Sequence, residues 1–201
     1  SLRWMQTLGH MLTITSLTSR MQHFGELVEA FSAVQPSPEA RGIYVEAASL
    51  LVSMFSFGGA REPARGFLGL MQQQAAAIFA EDPLALGWLK QAHTIYMLML
   101  EADPLATCQL AQEGLRAAKL ASARRMQALM GGFLGMAHAL LGDHVESEAL
   151  LRDNLVLAHR LGEPMTITHA KAWLAASLAT RGTLPALTEA HGLAQDILGT
   201  K

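Results

Sequence analysis

Apolar residues recur at intervals of three and four along most of the chain, which is the spacing of one face of an α-helix. Leu150, Leu151, Leu155 and Ala158 form one such face, and a similar face recurs over residues 110–118. The segments between turn signals are rich in Ala, Leu, Met, Gln and Arg, and none alternates apolar and polar residues as a half-buried strand would. The pattern predicts an all-α protein.

Acidic residues placed directly before proline mark several predicted helix starts. The pairs are Glu62-Pro63, Asp82-Pro83, Asp103-Pro104 and Glu163-Pro164. Proline is tolerated in the first turn of a helix, and the preceding carboxylate can accept hydrogen bonds from free backbone N–H groups. Pro38, Pro185, a cap at Ser122 and the sequence LGDH at 141–144 supply four more signals. The predicted helices begin near residues 38, 63, 83, 104, 123, 144, 164 and 185.

Most of these starts recur at an interval of about 20 residues, which is half the length of a long helical-hairpin repeat. A helix of about 16 residues followed by a tight turn fits that interval and returns the chain antiparallel. Two helices then make a repeat of about 40 residues, and repeats of this size stack into solenoids. The sequence predicts a single helical-repeat domain over 1–201 with about nine or ten helices. Its segments are a degenerate hairpin or cap, or one bent helix, at 1–35, followed by repeats at 36–82, 83–122, 123–163 and 164–201.

The repeat resembles the tetratricopeptide (TPR) family, whose signature is Trp-x-x-Leu-Gly-x-x-Tyr, then Ala-x-x-x-Phe and Pro. The matching positions are Gly131, Leu134, Gly135 and His138, followed by Ser147, Leu151 and Pro164. Gly131 replaces the signature Trp and His138 replaces the Tyr, and the period is near 40 rather than 34, so the chain is similar to a degenerate form with longer helices. The resemblance implies a right-handed α-solenoid of antiparallel hairpins. It also implies packing roles for Gly131, Leu134, Gly135, His138 and Leu151.

Degenerate repeats of this length resemble the sensor arms of large bacterial signalling proteins. The resemblance implies a non-catalytic scaffold that binds a protein, a peptide or a small effector and acts as the regulatory arm of a signalling or transcription-regulatory protein. The alternative is a regulatory segment of a multidomain kinase or NTPase whose catalytic part lies outside these residues. Because the chain starts at Ser1 without a methionine, we expect a fragment of a longer protein.

In the family, the first helix of each hairpin lines a concave groove. Residues about 40 positions apart then occupy equivalent places along that groove and are candidates for binding a partner. These candidates are Leu89, Leu129 and His169 in one register, and Tyr96, Met136 and Met99 in the adjoining ones. The stripe is apolar, and methionine suits an adaptable surface that receives a helix or an apolar peptide. An alternative interpretation places several of these side chains in the core between repeats. The apolar surface also leaves open a homodimer or docking of other domains of the same chain.

Composition excludes several partners. The chain has 201 residues, 51% of them hydrophobic and 16% charged, and its net charge is −2, so we expect no contact with nucleic acid. The longest uncharged apolar run, residues 47–60, is too short to cross a bilayer. The single cysteine, Cys108, excludes an intramolecular disulfide and fits a reducing, cytoplasmic setting. Because it falls within a predicted helix, we expect a buried structural thiol.

Motifs that carry catalysis or bind metals are missing from the sequence. The eight histidines form no His-Glu-x-x-His pattern, and MGGFLG at 130–135 lacks the Lys-Ser/Thr of a phosphate-binding loop. Carboxylates fall mostly at predicted caps or on solvent-facing positions, with no pair suited to acid–base work. We therefore expect a protein that is not an enzyme and has no catalytic residues, no metal and no cofactor.

Overall fold

The computed structural model describes residues 25, 26, 28, 30, 38–75 and 82–199, and within them it contains helices and turns but no strand. This confirms the all-α prediction. The helices are α1 Pro38–Phe57, α2 Arg61–Ala75, α3 Pro83–Tyr96, α4 Pro104–Leu120, α5 Arg124–Leu141, α6 His144–Leu161, α7 Pro164–Arg181 and α8 Leu184–Leu198. A π-helical segment, Met97–Glu101, continues α3.

The observed helix starts agree with the predicted ones to within two residues. At the start of α3, the carboxylate of Asp82 accepts hydrogen bonds from the backbone N–H groups of Leu84 and Ala85 at 3.0 and 3.1 Å. At the start of α4, the carboxylate of Asp103 accepts one from Ala106 at 2.9 Å. The acidic residue before proline therefore caps both helices as the sequence predicts.

The other two acidic residues that precede proline do not act as caps. Glu62 lies within the first turn of α2, and Glu163 precedes α7 but accepts no hydrogen bond from its backbone N–H groups.

The expected caps at Ser122 and Asp143 also differ from the prediction. Ser122 ends α4 in the left-handed conformation, with φ 53°, and Ala123 is the residue that precedes α5. Asp143 does precede α6, but its carboxylate lies 3.3 Å from Nδ1 of His138 and bonds no backbone N–H of α6. The turns are short, so residue 122 is needed to end one helix and cannot also cap the next.

Helical segments end at regular intervals with a left-handed backbone. The residues are Ala102, Ser122, Gly142, Gly162 and Gly182, with φ between 52° and 86°. A left-handed residue lets the next N–H groups reach the last helical carbonyls, as where Asp143 donates to the His138 carbonyl at 2.9 Å. Glycine adopts this conformation without strain because it lacks Cβ. The sequence period therefore corresponds to regularly spaced helix ends.

Ser122→Gly is expected to raise the free energy of unfolding by about 0.5–1 kcal/mol, because it relieves the strain of a left-handed residue that carries Cβ. The matched change at the next turn, Gly142→Ala, is expected to lower it by about 1 kcal/mol, since φ there is 86°. Urea denaturation at equilibrium measures both. A protein stabilised by Gly142→Ala would contradict the left-handed end of α5.

The chain divides into two compact units, Ser1–Ala102 and Asp103–Lys201. In the first unit, α1 packs against both α2 and α3. Its core contains fully buried large side chains, among them Tyr44, Leu51 and Met71. The boundary between the units falls within the segment 83–122 that the period assigns to one hairpin.

In the second unit, helices α4 to α8 pack in chain order, each against the next. Turns of two or three residues join them, so successive helices run antiparallel. Helix α5 also contacts α7, which places the first helices of two successive hairpins side by side. Arg152 of α6 donates to both carboxylate oxygens of Glu189 on α8 at 2.8 Å, which links the second helices in the same way.

The predicted N-terminal hairpin or cap at 1–35 lies outside the described residues, apart from the helical positions 25, 26, 28 and 30. Between Pro38 and Leu198 the structure describes eight α-helices. The total of about nine or ten helices therefore stays a prediction.

Candidate functional site

One side of α5 and the adjacent side of α7 form a surface that we call the α5/α7 face, made of Arg125, Leu129, Met136, His169 and Trp173. Leu129 lies one turn after Arg125, and Met136 lies two turns after Leu129, so the three share one side of α5. Leu129, Met136 and Trp173 are half-buried, whereas His169 is exposed. The face therefore combines accessible apolar groups from two helices.

Trp173 joins the two helices of this face. Its ring lies on Gly132 of α5, where any Cβ atom would overlap the indole. Gly132 lies three residues after Leu129 and four before Met136, so the three residues share one side of α5. The indole also contacts the ring of Phe133, with centroids 5.1 Å apart. A glycine at 132 is thus what allows the indole of α7 to lie directly on the backbone of α5.

The polar groups of the α5/α7 face are paired or neutral. Arg125 Nε lies 3.3 Å from Glu163 Oε2, which also accepts a hydrogen bond from Thr166 Oγ1 at 3.0 Å. His169 stacks on Trp173, with ring centroids 5.6 Å apart, and this removes water from one side of the imidazole. Desolvation lowers the pKa of His169, and the positive charge of Arg125 lowers it further. His169 is therefore neutral at pH 7, and the face carries little net charge.

The other predicted groove residues, Leu89, Tyr96 and Met99, belong to the first unit. Leu89 and Tyr96 are 6% and 8% exposed and lie in the core of that unit. Met99 is 42% exposed and lies in the π-helical segment. Two of these three residues are thus interior side chains.

A polar cluster that the sequence did not indicate lies at the end of the π-helical segment. Arg61 Nη1 donates to Glu101 Oε1 at 2.6 Å, and Nη2 of the same guanidinium donates to the Leu100 carbonyl. The hydroxyl of Tyr96 donates to the Glu101 carboxylate, and this bond, followed by that from Arg61, lowers the pKa of Glu101. Burial, followed by the bond to Glu101, raises the pKa of Tyr96. Arg61 begins α2 and Glu101 ends the π-helical segment, so no local motif connects them.

The residues that match the repeat signature lie at contacts within the second unit. Gly135 faces Leu151, whose Cγ would lie 2.5 Å from a Cβ atom at position 135. Leu134 and Leu151 are buried, at 6% and 0% exposure. Gly131 and His138 are half-buried. Helices α5 and α6 therefore approach each other closely at Gly135.

Asn154 on α6 is a buried polar residue that the sequence did not single out. It is 5% exposed, and neither of its amide atoms has a hydrogen-bond partner among the described residues. Its Oδ1 would lie 3.3 Å from a Cβ atom at residue 131, so glycine there leaves room for the amide. An unpaired buried amide of this kind costs about 1–3 kcal/mol of stability.

Within residues 38–75 and 82–199, no helix combines the length and the apolar character needed to cross a membrane. The same residues contain no group of three or more His, Cys, Asp or Glu side chains arranged to hold a metal ion. No protein-family model and no curated protein sequence matches this chain. The candidate site is therefore defined by the geometry of the α5/α7 face alone.

Proposed function

We propose that the chain is a non-catalytic, TPR-like scaffold whose α5/α7 face binds an apolar peptide segment of a partner protein. The Trp173 ring lies on Gly132, on the side of α5 that also carries Leu129 and Met136, and this observation is the main support for the proposal. This arrangement presents an aromatic ring and two flexible or branched apolar side chains together on a surface with little charge.

A right-handed α-solenoid is part of the proposal. Three features of the second unit support it: turns of two or three residues, evenly spaced helix ends, and contacts between α5 and α7. In a solenoid, the first helices of successive hairpins form one layer and the second helices form the other. The link from Arg152 on α6 to Glu189 on α8 fits the second layer.

The chemistry of the face favours an apolar segment over a charged one. Half-buried aromatic residues at the centre of a surface contribute strongly to binding, and methionine adapts to different apolar partners. Arg125 is already paired with Glu163 at 3.3 Å, and His169 is neutral at pH 7, so a strongly charged ligand would find no free counter-charge within the face. An amphipathic helix, with apolar residues at three- and four-residue spacing, matches these requirements.

The tetratricopeptide resemblance gives this binding a biological setting. We place the chain in the regulatory arm of a bacterial signalling or transcription-regulatory protein, where the bound segment belongs to a partner protein or to another domain of the same chain. Such a scaffold needs no cofactor and performs no turnover.

Selection of a random peptide library displayed on phage against the whole chain tests the proposal. We expect the enriched peptides to carry apolar residues at helical spacing and to bind Met136→Glu at least about tenfold more weakly, a loss of about 1.4 kcal/mol. Val156→Glu is the matched control, because Val156 is 50% exposed on α6, away from the face, and the same charge there should leave binding unchanged.

Thermal denaturation of both variants shows whether each remains folded before binding is compared. Enriched peptides that bind Met136→Glu as tightly as the unmodified chain would place the binding surface elsewhere and refute the assignment of the α5/α7 face. A selection that enriches no peptide at all would also count against it.

A further inference from the structure

Cys108 lies beside a histidine that is itself bonded to a carboxylate. Its Sγ is 3.7 Å from Nε2 of His138 on α5, and Nδ1 of the same imidazole is 3.3 Å from Oδ2 of Asp143. The amide of Gln112 also donates to the sulfur at 3.7 Å. The structure confirms that this cysteine is buried, as the sequence predicts, but it also places the thiol at one end of a thiol–imidazole–carboxylate chain.

The carboxylate determines which nitrogen of the imidazole faces the thiol as an acceptor. With its proton on Nδ1, His138 donates to Asp143, and the lone pair of Nε2 points to the thiol. The opposite tautomer would direct a lone pair at a carboxylate. The backbone N–H of Asp143 donates to the carbonyl of His138 at 2.9 Å, so the turn after α5 holds this pair together. An imidazole oriented in this way is a base for the neighbouring nucleophile.

We propose that this chain of groups makes Cys108 a site of oxidation by small hydroperoxides. His138 accepts the thiol proton as Sγ attacks one oxygen of the peroxide, so an S–O bond forms and the O–O bond breaks. The departing oxygen takes the proton from His138 and leaves as water or, for an organic peroxide, as an alcohol. Cysteine is oxidised to sulfenic acid, and the peroxide is reduced.

The burial of Cys108 limits the size of the oxidant and makes a neighbouring base necessary to deprotonate the thiol. Cys108 is 8% exposed, so its sulfur meets little solvent and the oxidant in the proposal has to be small and uncharged. Burial, and then the negative charge of Asp143, raises the pKa of the Cys108 thiol, which keeps it protonated at neutral pH. The thiolate then forms only as His138 takes the proton, whereas a buried cysteine without such a base is inert.

The sulfenic acid has no second cysteine in this chain with which to form a disulfide, because Cys108 is the only one. It persists until a small external thiol reacts with it. Because the sulfur of Cys108 on α4 faces His138 of α5, the added oxygen would place a polar group at a buried helix contact. The inference does not depend on the binding role proposed for the α5/α7 face.

Trapping of the sulfenic acid tests the proposal on the whole chain. The protein is treated with hydrogen peroxide at pH 7 for timed intervals and the peroxide is removed with catalase. The sulfenic acid is then trapped with dimedone under denaturing conditions, and the rate of adduct formation is followed by intact mass. We expect His138→Gln to slow the reaction at least about tenfold, because general-base assistance of this kind contributes factors of about 100 or more. Asp143→Asn should slow it several-fold, since the amide holds the imidazole less firmly.

His159→Gln is the matched control, because His159 is exposed on α6, and it should leave the rate unchanged. Cys108→Ser should abolish the adduct. Melting curves separate a base from a packing residue: loss of the base should slow the oxidation of a variant that keeps its fold.

Equal rates for the unmodified chain and His138→Gln would overturn the proposal. Should His138→Gln fail to fold, as judged by its melting curve, the exposed Asp143→Asn decides instead. A rate unaffected by that change would then refute the role of the imidazole–carboxylate pair.

Discussion

Gly135→Leu is expected to lower the free energy of unfolding by about 1–3 kcal/mol, the usual cost of an added side chain in a packed interior. A Cβ atom at position 135 would lie 2.5 Å from Cγ of Leu151, which is 0% exposed and cannot turn into solvent. Helices α5 and α6 must therefore move apart to accept the new side chain. Urea denaturation at equilibrium, followed by circular dichroism, measures the loss.

Gly192→Leu provides the matched control for this change. Gly192 is an exposed residue within α8, and a Cβ atom there would have no neighbour within 4 Å. Because glycine weakens a helix interior, the control is expected to raise stability by about 0.5–1 kcal/mol. If Gly135→Leu left stability unchanged or raised it as the control does, α5 and α6 could not be in contact at this position.

Leu151→Ala is expected to cost more, about 2–5 kcal/mol, because it leaves a cavity in a core that can collapse only in part. Leu151 is fully buried and belongs to a cluster that includes Leu174 and Leu178. Leu120→Ala is the control, since Leu120 is 78% exposed at the end of α4 and its loss should change stability by less than about 0.5 kcal/mol. The same denaturation experiment compares the two, and equal effects would contradict the burial of Leu151.

The two changes should also be coupled. In a Leu151→Ala background, the side chain introduced by Gly135→Leu enters the space that Leu151 left, so it should cost less than it does in the unmodified chain. Residues in contact show such coupling energies, whereas distant residues add independently. Strict additivity would refute direct contact between positions 135 and 151.

The boundaries of the helices can be predicted from the sequence because they depend on residues close to each helix end. Asp82 and Asp103 cap the helices that follow them, since a carboxylate before proline is within reach of free N–H groups. Gly142 and Gly182 end helices because they adopt positive φ angles, 86° and 69°, without strain. Neither effect depends on distant parts of the chain.

Contacts between helices could be anticipated only where the resemblance to a repeat signature suggested which residues face each other. Gly135 and Leu151 stand at signature positions, and the structure places them in contact. The contact between Trp173 and Gly132 could not be predicted in this way, because the fit of an indole on a glycine of another helix depends on how the two helices align. The same holds for Cys108 and His138, which lie on α4 and α5.

The residues predicted to line a groove are accessible in the second unit, but two of the three in the first unit are buried. Leu129 and Met136 lie on an accessible side of α5, but Leu89 and Tyr96 lie in the core of the first unit. In that unit α1 packs against both following helices, and this buries the side of α3 that carries Leu89. A period in the sequence fixes where helices begin and end, but the partners of each helix decide which side is accessible.

Both the proposed solenoid and the proposed binding face require α5 and α7 to lie side by side as the first helices of successive hairpins. Nuclear Overhauser effects between the α protons of Gly132 and the indole protons of Trp173 test this directly in a selectively labelled sample of the chain. We expect strong effects, together with upfield-shifted Gly132 protons, because the indole ring lies on that glycine. Absence of these effects, with Gly132 protons at ordinary positions, would contradict it.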